Sequence, residues 1–210
     1  MKKIALKLGI CAMMIFTVVP AVQALTLDLT SNHCSTPANC GAPGTIFGTV
    51  TLIQNGTTVD VTVHLNSPYA FAKTGAADFQ YFKFNATGIA LGDISVTKNN
   101  VPLNDLVAAV GTFNGDGTGT FGYAIGSPGA GNGLSTSYAG DLMFSVANAD
   151  IADLTIVNNL GIIFVADIGN TTNGATGPID ATPPAVPEPG TMLLLGFGIL
   201  GLAGVRRFRK

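Results

Sequence analysis

Asn55-Gly56 interrupts the most regular alternation in the chain. The residues before it read Ile46-Phe-Gly-Thr-Val-Thr-Leu-Ile-Gln54, and those after it read Thr57-Thr-Val-Asp-Val-Thr-Val-His-Leu-Asn66. An Asn-Gly pair between two such runs signals a β-hairpin, because a type I′ turn needs positive φ at both central positions. Placing Asn55 and Gly56 there pairs Gln54 with Thr57, Leu52 with Val59 and Val50 with Val61. Thr51 then faces Asp60, Thr49 faces Thr62, and His64 lies opposite Phe47. One face is aliphatic and the other rich in Thr. A sheet with one apolar face needs a second layer to cover it, so this hairpin commits the chain to a layered β fold.

Further short runs carry the same message. Phe79–Phe84, Ile94–Thr97, Gly119–Ile125, Asp141–Val146 and Ile162–Ile168 read as strands separated by Gly, Asn, Asp and Pro. Asp150–Asn158 reads as one or two helical turns with Asp150 as N-cap. Seven or eight strands without an internal repeat predict an all-β body, a single β-sandwich or jelly-roll-like domain over residues 25–180. That length can enclose a proper core.

Both ends of the chain are of another kind. Lys2, Lys3 and Lys7 precede an apolar run from Leu8 to Val19, and Pro20-Ala-Val-Gln-Ala24 follows. This is the layout of a secretory signal peptide over residues 1–24, with cleavage after Ala24. At the other end, residues 181–191 form a Pro-rich linker containing Val186-Pro187-Glu188-Pro189. Residues 192–205 carry no charge, and Arg206-Arg207-Phe208-Arg209-Lys210 ends the chain. As a helix the uncharged run spans ~21 Å, short of a hydrocarbon core of ~30 Å. Thr191, Phe208 and snorkelling arginines extend it to a transmembrane helix. Basic clusters mark cytoplasmic ends, so residues 206–210 are expected as a cytoplasmic tail, with the body outside the inner membrane.

Val186-Pro187-Glu188-Pro189, the short apolar helix and the terminal arginines resemble the PEP-CTERM sorting signal. A C-terminal segment of this kind has also been labelled an ice-binding protein C-terminal domain. The resemblance implies an exported protein of a Gram-negative bacterium that makes exopolysaccharide and biofilm. It also implies an exosortase as partner, a multi-pass membrane enzyme with a cysteine nucleophile that cuts near the Pro-Glu-Pro motif. By that likeness Val186, Pro187, Glu188 and Pro189 are the recognition element, while Arg206, Arg207, Arg209 and Lys210 anchor the helix. The expected course is transient inner-membrane anchoring, then release to the periplasm, outer surface or extracellular matrix. Prolines fix φ and lack an N–H, so the motif stays extended and open to a processing enzyme.

Composition then says what the body is not. The whole chain has a formal net charge of −2. Seven of its ten basic residues lie in the two ends. Between Leu25 and Pro189 three lysines stand against twelve acidic residues, a net of −9 that gives nucleic acid no footing. Cys11 leaves with the signal peptide. Cys34 and Cys40 form an even pair in an exported chain and read as a disulfide, worth about 2 kcal/mol in the chain-entropy model.

Reactive groups are scarce. The body holds His33 and His64, no arginine, no Gly-x-Ser-x-Gly elbow and no His-Glu-x-x-His pair. His33 beside Cys34 lacks the three or four ligands of a zinc site. Asp150 and Asp153 read as surface solvation rather than a glycosidase pair. Asn114-Gly-Asp-Gly-Thr-Gly119 reads as a Gly-rich loop, since it lacks the spacing and closing Glu of an EF-hand. The expectation is a non-catalytic body without cofactor or metal. Two binding roles stand as alternatives. A carbohydrate-binding module, with exopolysaccharide as partner, would have to stack sugars on Tyr69, Tyr81, Tyr123 and Tyr138, since the chain has no Trp. Ice binding would use Thr49, Thr51 and Thr62.

Overall fold

The computed structural model describes residues 23–34, 40–74, 79–96, 106–127 and 133–183. Residues 1–22 of the expected signal peptide, the Val186–Pro189 motif, the run 192–205 and the basic tail lie outside the described residues, while Gln23 and Ala24 are described and Ala24 begins the first strand. Among those described, no helix is long and apolar enough to cross a membrane.

Thirteen strands are described, more than the seven or eight expected. β1 (Ala24–Leu29) and β2 (Ser31–Asn32) come first, then the hairpin β3 (Gly48–Asn55) and β4 (Thr58–Leu65). β5 (Tyr69–Lys73), β6 (Gln80–Phe84), β7 (Ile94–Val96) and β8 (Val107–Asn114) follow. β9 (Thr120–Gly126), β10 (Gly133–Tyr138), β11 (Leu142–Ala147), β12 (Phe164–Asn170) and β13 (Thr176–Ala181) complete the order. One sheet has five strands in the order β1-β3-β4-β11-β7. The other has eight, along β10-β5-β12-β6-β9-β8, with β13 on the far edge of β12 and β2 beyond it. All pairings are antiparallel, and the two sheets pack as a sandwich.

The hairpin forms where expected, in a register two residues away. Asn55 faces Thr58, Leu52 faces Val61, Val50 faces Val63 and Thr51 faces Thr62. His64 therefore lies opposite Thr49, not Phe47. The turn residues are Gly56 and Thr57, and of the two only Gly56 has positive φ, at 62°. A type II′ turn makes that demand, with Gly at its first central position. A shift of two leaves every side chain on its own face, so Val50, Leu52, Val59 and Val61 are buried as the alternation requires. Gln54, at the inner end of β3, ties the hairpin to the short helix Ile151–Leu154. Its Nε2 donates to Ala149 O at 3.0 Å and its Oε1 accepts from Ile151 N–H at 3.0 Å. Asp150 is that helix's N-cap, as its sequence suggests, and Asp153 Oδ2 accepts the Asp150 N–H at 2.9 Å.

Aromatics join the layers. Phe144 of the smaller sheet lies 5.4 Å from Phe84 and 6.0 Å from Phe82 of the larger, centroid to centroid. Phe82 stacks at 5.5 Å on Phe164. β12 is the hub of the larger sheet. Along one edge it pairs with β13, and along the other with β5 and then β6. All seven of its residues are buried, because both its faces are covered. Phe164, Ala166 and Ile168 join the main core, while Val165 packs on the opposite face with Phe121 and Ile162.

Candidate functional site

The two histidines sit in different settings. His33, just beyond β2, meets Asp180 of β13 through Nε2 at 2.7 Å, and Ser31 Oγ lies 3.2 Å from that same nitrogen. Asp180 is buried while His33 is about one-third exposed. Ser, His and Asp together invite comparison with a nucleophilic triad. In a triad, however, acid and hydroxyl engage opposite ring nitrogens. Here both converge on one, so His33 has no route to relay a proton from Ser31 while Asp180 holds it. His64 is the surface case. Its Nδ1 lies 2.7 Å from Asp141 Oδ1, with the side chains 54% and 43% exposed, so solvent screens the pair.

Asp93, Asp150 and Asp153 resolve as local caps. Thr57, Asn148, Ala149, Asp150 and Asp153 line an open cavity of about 240 Å³. Asp153 faces it already engaged with the Asp150 backbone. Asp93 has a parallel role, accepting the Ala90 N–H at 2.8 Å and the Asn148 amide at 2.9 Å. These two bonds hold its carboxyl below the usual range. Residues 114–119 form the turn between β8 and β9, folded on themselves. Thr118 Oγ1 donates to Gly115 O at 2.6 Å, and Asn158 Nδ2 donates to Thr118 O at 2.6 Å. Asp116, Gly117 and Gly119 all have positive φ. Among the described residues, no group of three His, Cys, Asp or Glu side chains is placed to hold a metal ion.

The surfaces named for binding are mixed or occupied. Thr26, Thr51 and Thr62 form one row across β1, β3 and β4. On the same outer face Thr49 stands between Asp28 and His64 on one side of that row, and Ile53 and Asp60 lie on the other, so charged and apolar positions break any regular hydroxyl array. The four tyrosines serve the fold. Tyr81 O–H donates to Thr136 O, Tyr123 O–H to Ile89 O at 2.8 Å and Tyr138 O–H to Asp141 O at 2.9 Å. Tyr69 packs edge-on against Phe47 at 5.0 Å. Cys34 and Cys40 are joined in a disulfide, both buried.

One constellation escapes a reading of the sequence. Lys83 Nζ lies 2.7 Å from Asp167 Oδ2, with the side chains 0% and 1% exposed. Alternation places Lys83 between the inward Phe82 and Phe84, on a face that reads as solvent. The available signal was Asp167, a lone charge inside the apolar run Phe164–Ile168.

Residues 185–210 match the model of the PEP-CTERM protein-sorting motif. That stretch includes Val186–Pro189, the uncharged run and the basic tail. No curated protein and no solved structure matches the chain. Proteins with this motif are exported and sorted to the membrane or cell surface, and the motif implies processing by an exosortase.

Proposed function

We propose that this chain is an exported cell-surface or extracellular-matrix protein of an exopolysaccharide-forming Gram-negative bacterium, with a β-sandwich body that is displayed rather than catalytic. The observation that carries this reading is the sorting motif over residues 185–210. In this reading the inner membrane holds the precursor through residues 192–205. The exosortase binds the Val186–Pro189 segment, and the arginines anchor the uncharged run at its cytoplasmic end. Two observations support a non-catalytic body. His33 binds its Ser and Asp through one nitrogen, and Asp153 serves as a helix cap. A sugar-stacking role gains no support from tyrosines whose hydroxyls or rings are committed to the fold.

The test is the double variant Pro187→Ala, Glu188→Ala in the native host. The expected outcome is loss of surface display and accumulation of unprocessed precursor in the inner membrane. Unchanged display together with unchanged C-terminal processing would sink the proposal.

A further inference from the structure

The body between Leu25 and Pro189 contains three lysines, and two of them, Lys73 and Lys83, are buried. Burying an ammonium is costly, and pairing it with a carboxylate offsets that cost only in part. Lys83 is nevertheless placed against Asp167 across adjacent antiparallel strands. Lys83 of β6 is in register with Val165 of β12, so Asp167 is its diagonal neighbour on the same face. Phe121, Ile162 and Val165 form an apolar cluster on that face.

From this placement we infer that Lys83 and Asp167 condense after folding into an intramolecular amide, a covalent cross-link between β6 and β12. The ion pair supplies all the atoms. Lys83 Nζ gives a proton to the Asp167 carboxylate, leaving a neutral amine beside a neutral acid. The amine lone pair attacks Asp167 Cγ to give a tetrahedral centre. A second Nζ proton passes to the departing oxygen, the C–O bond breaks, and one water leaves. No oxidant, cofactor or second substrate takes part.

Two features drive the step. In water, hydration stabilises the ammonium and carboxylate and holds the pair apart from its amide. In a buried apolar setting that stabilisation is lost. Proximity does the rest. Reacting atoms held about 3–3.5 Å apart react as if at very high concentration, and a nitrogen 2.7 Å from one carboxyl oxygen is near that range from the carbon. The product suits a displayed protein, because the link closes a long loop through the hub strand of the larger sheet.

The experiment is protease mapping of the mature, denatured and reduced protein by mass spectrometry. Trypsin should cut after Lys73 and Lys98 and skip Lys83. The segment containing Lys83 should appear joined to the one containing Asp167, lighter than their sum by one water. Recovery of both segments as separate linear peptides from the wild-type protein overturns the inference without recourse to any variant. The Asp167→Ala variant should yield no branched peptide; a branched peptide there would place the link elsewhere and also overturn the assignment. Asp167→Asn should form the same amide with loss of ammonia instead of water.

Discussion

Tyr81 shows how one hydroxyl is kept at the edge of an aromatic core. Its ring is buried and tilted against Phe71 at 6.3 Å, and its O–H donates to the Thr136 carbonyl of β10. Burial raises its pKa, against a smaller lowering influence from the Thr136 side chain. The folded state thus favours the protonated phenol. The resulting stability is intact below the unfolded value near 10 and is lost as pH rises through the folded value. Tyr81→Phe should cost about 1 kcal/mol at neutral pH and flatten the loss of stability above about pH 10, as read by urea titrations across that range. Asp93 works with the opposite sign. Its lowered pKa contributes stability above the unfolded value near 4, lost as pH falls through the folded one. Asp93→Asn should lower stability at neutral pH and make the acid limb shallower. An acid limb identical to the wild type would show that the bonds to Ala90 and Asn148 carry no weight.

Two glycines of one hairpin separate strain from space. At Gly56 an added Cβ would meet nothing within 4 Å, but φ is +62°. At Gly48 an added Cβ would stand 2.1 Å from the backbone oxygen of His64. Gly56→Ala should cost about 1–2 kcal/mol, the penalty of a left-handed conformation. Gly48→Ala should cost about 3 kcal/mol, because β3 and β4 must part to admit it. Equal costs in denaturant titrations would contradict this division. The same hairpin shows what the sequence makes legible. Short apolar runs locate β3, β4, β6, β7, β9, β11 and β12, and in the β3–β4 hairpin alternation also gives the faces, because faces follow a period of two. The turn position does not follow from it, since Gly56 supplies positive φ in either register. β5 is hidden because Tyr69-Ala-Phe-Ala-Lys73 is buried almost throughout and shows no period. β13 is hidden by Pro178, tolerated because β2 covers only Ile179 and Asp180. β6 itself begins at Gln80 rather than Phe79, whose φ is +58°. Lys83–Asp167 is hidden because a covered outer face of a sheet depends on distant chain, here the approach to β12.

At the scale of the molecule, the two sheets are completed at different points along the chain. Every strand of the smaller sheet lies before residue 148, whereas the larger sheet needs β12 and β13. A chain truncated after residue 160 therefore contains five strands for one sheet but an unfilled centre for the other. It should show no cooperative thermal transition and no protease-resistant core; a cooperative transition in that truncation would contradict the role given to β12. The consequence reaches into biogenesis. Synthesis delivers β5, β6 and β9 long before the strand that binds them together, so their aromatic faces wait without a framework. The order of strands thus fixes the order of assembly: the smaller sheet has all its strands early, and the larger one closes only when the last quarter of the chain supplies β12 and β13.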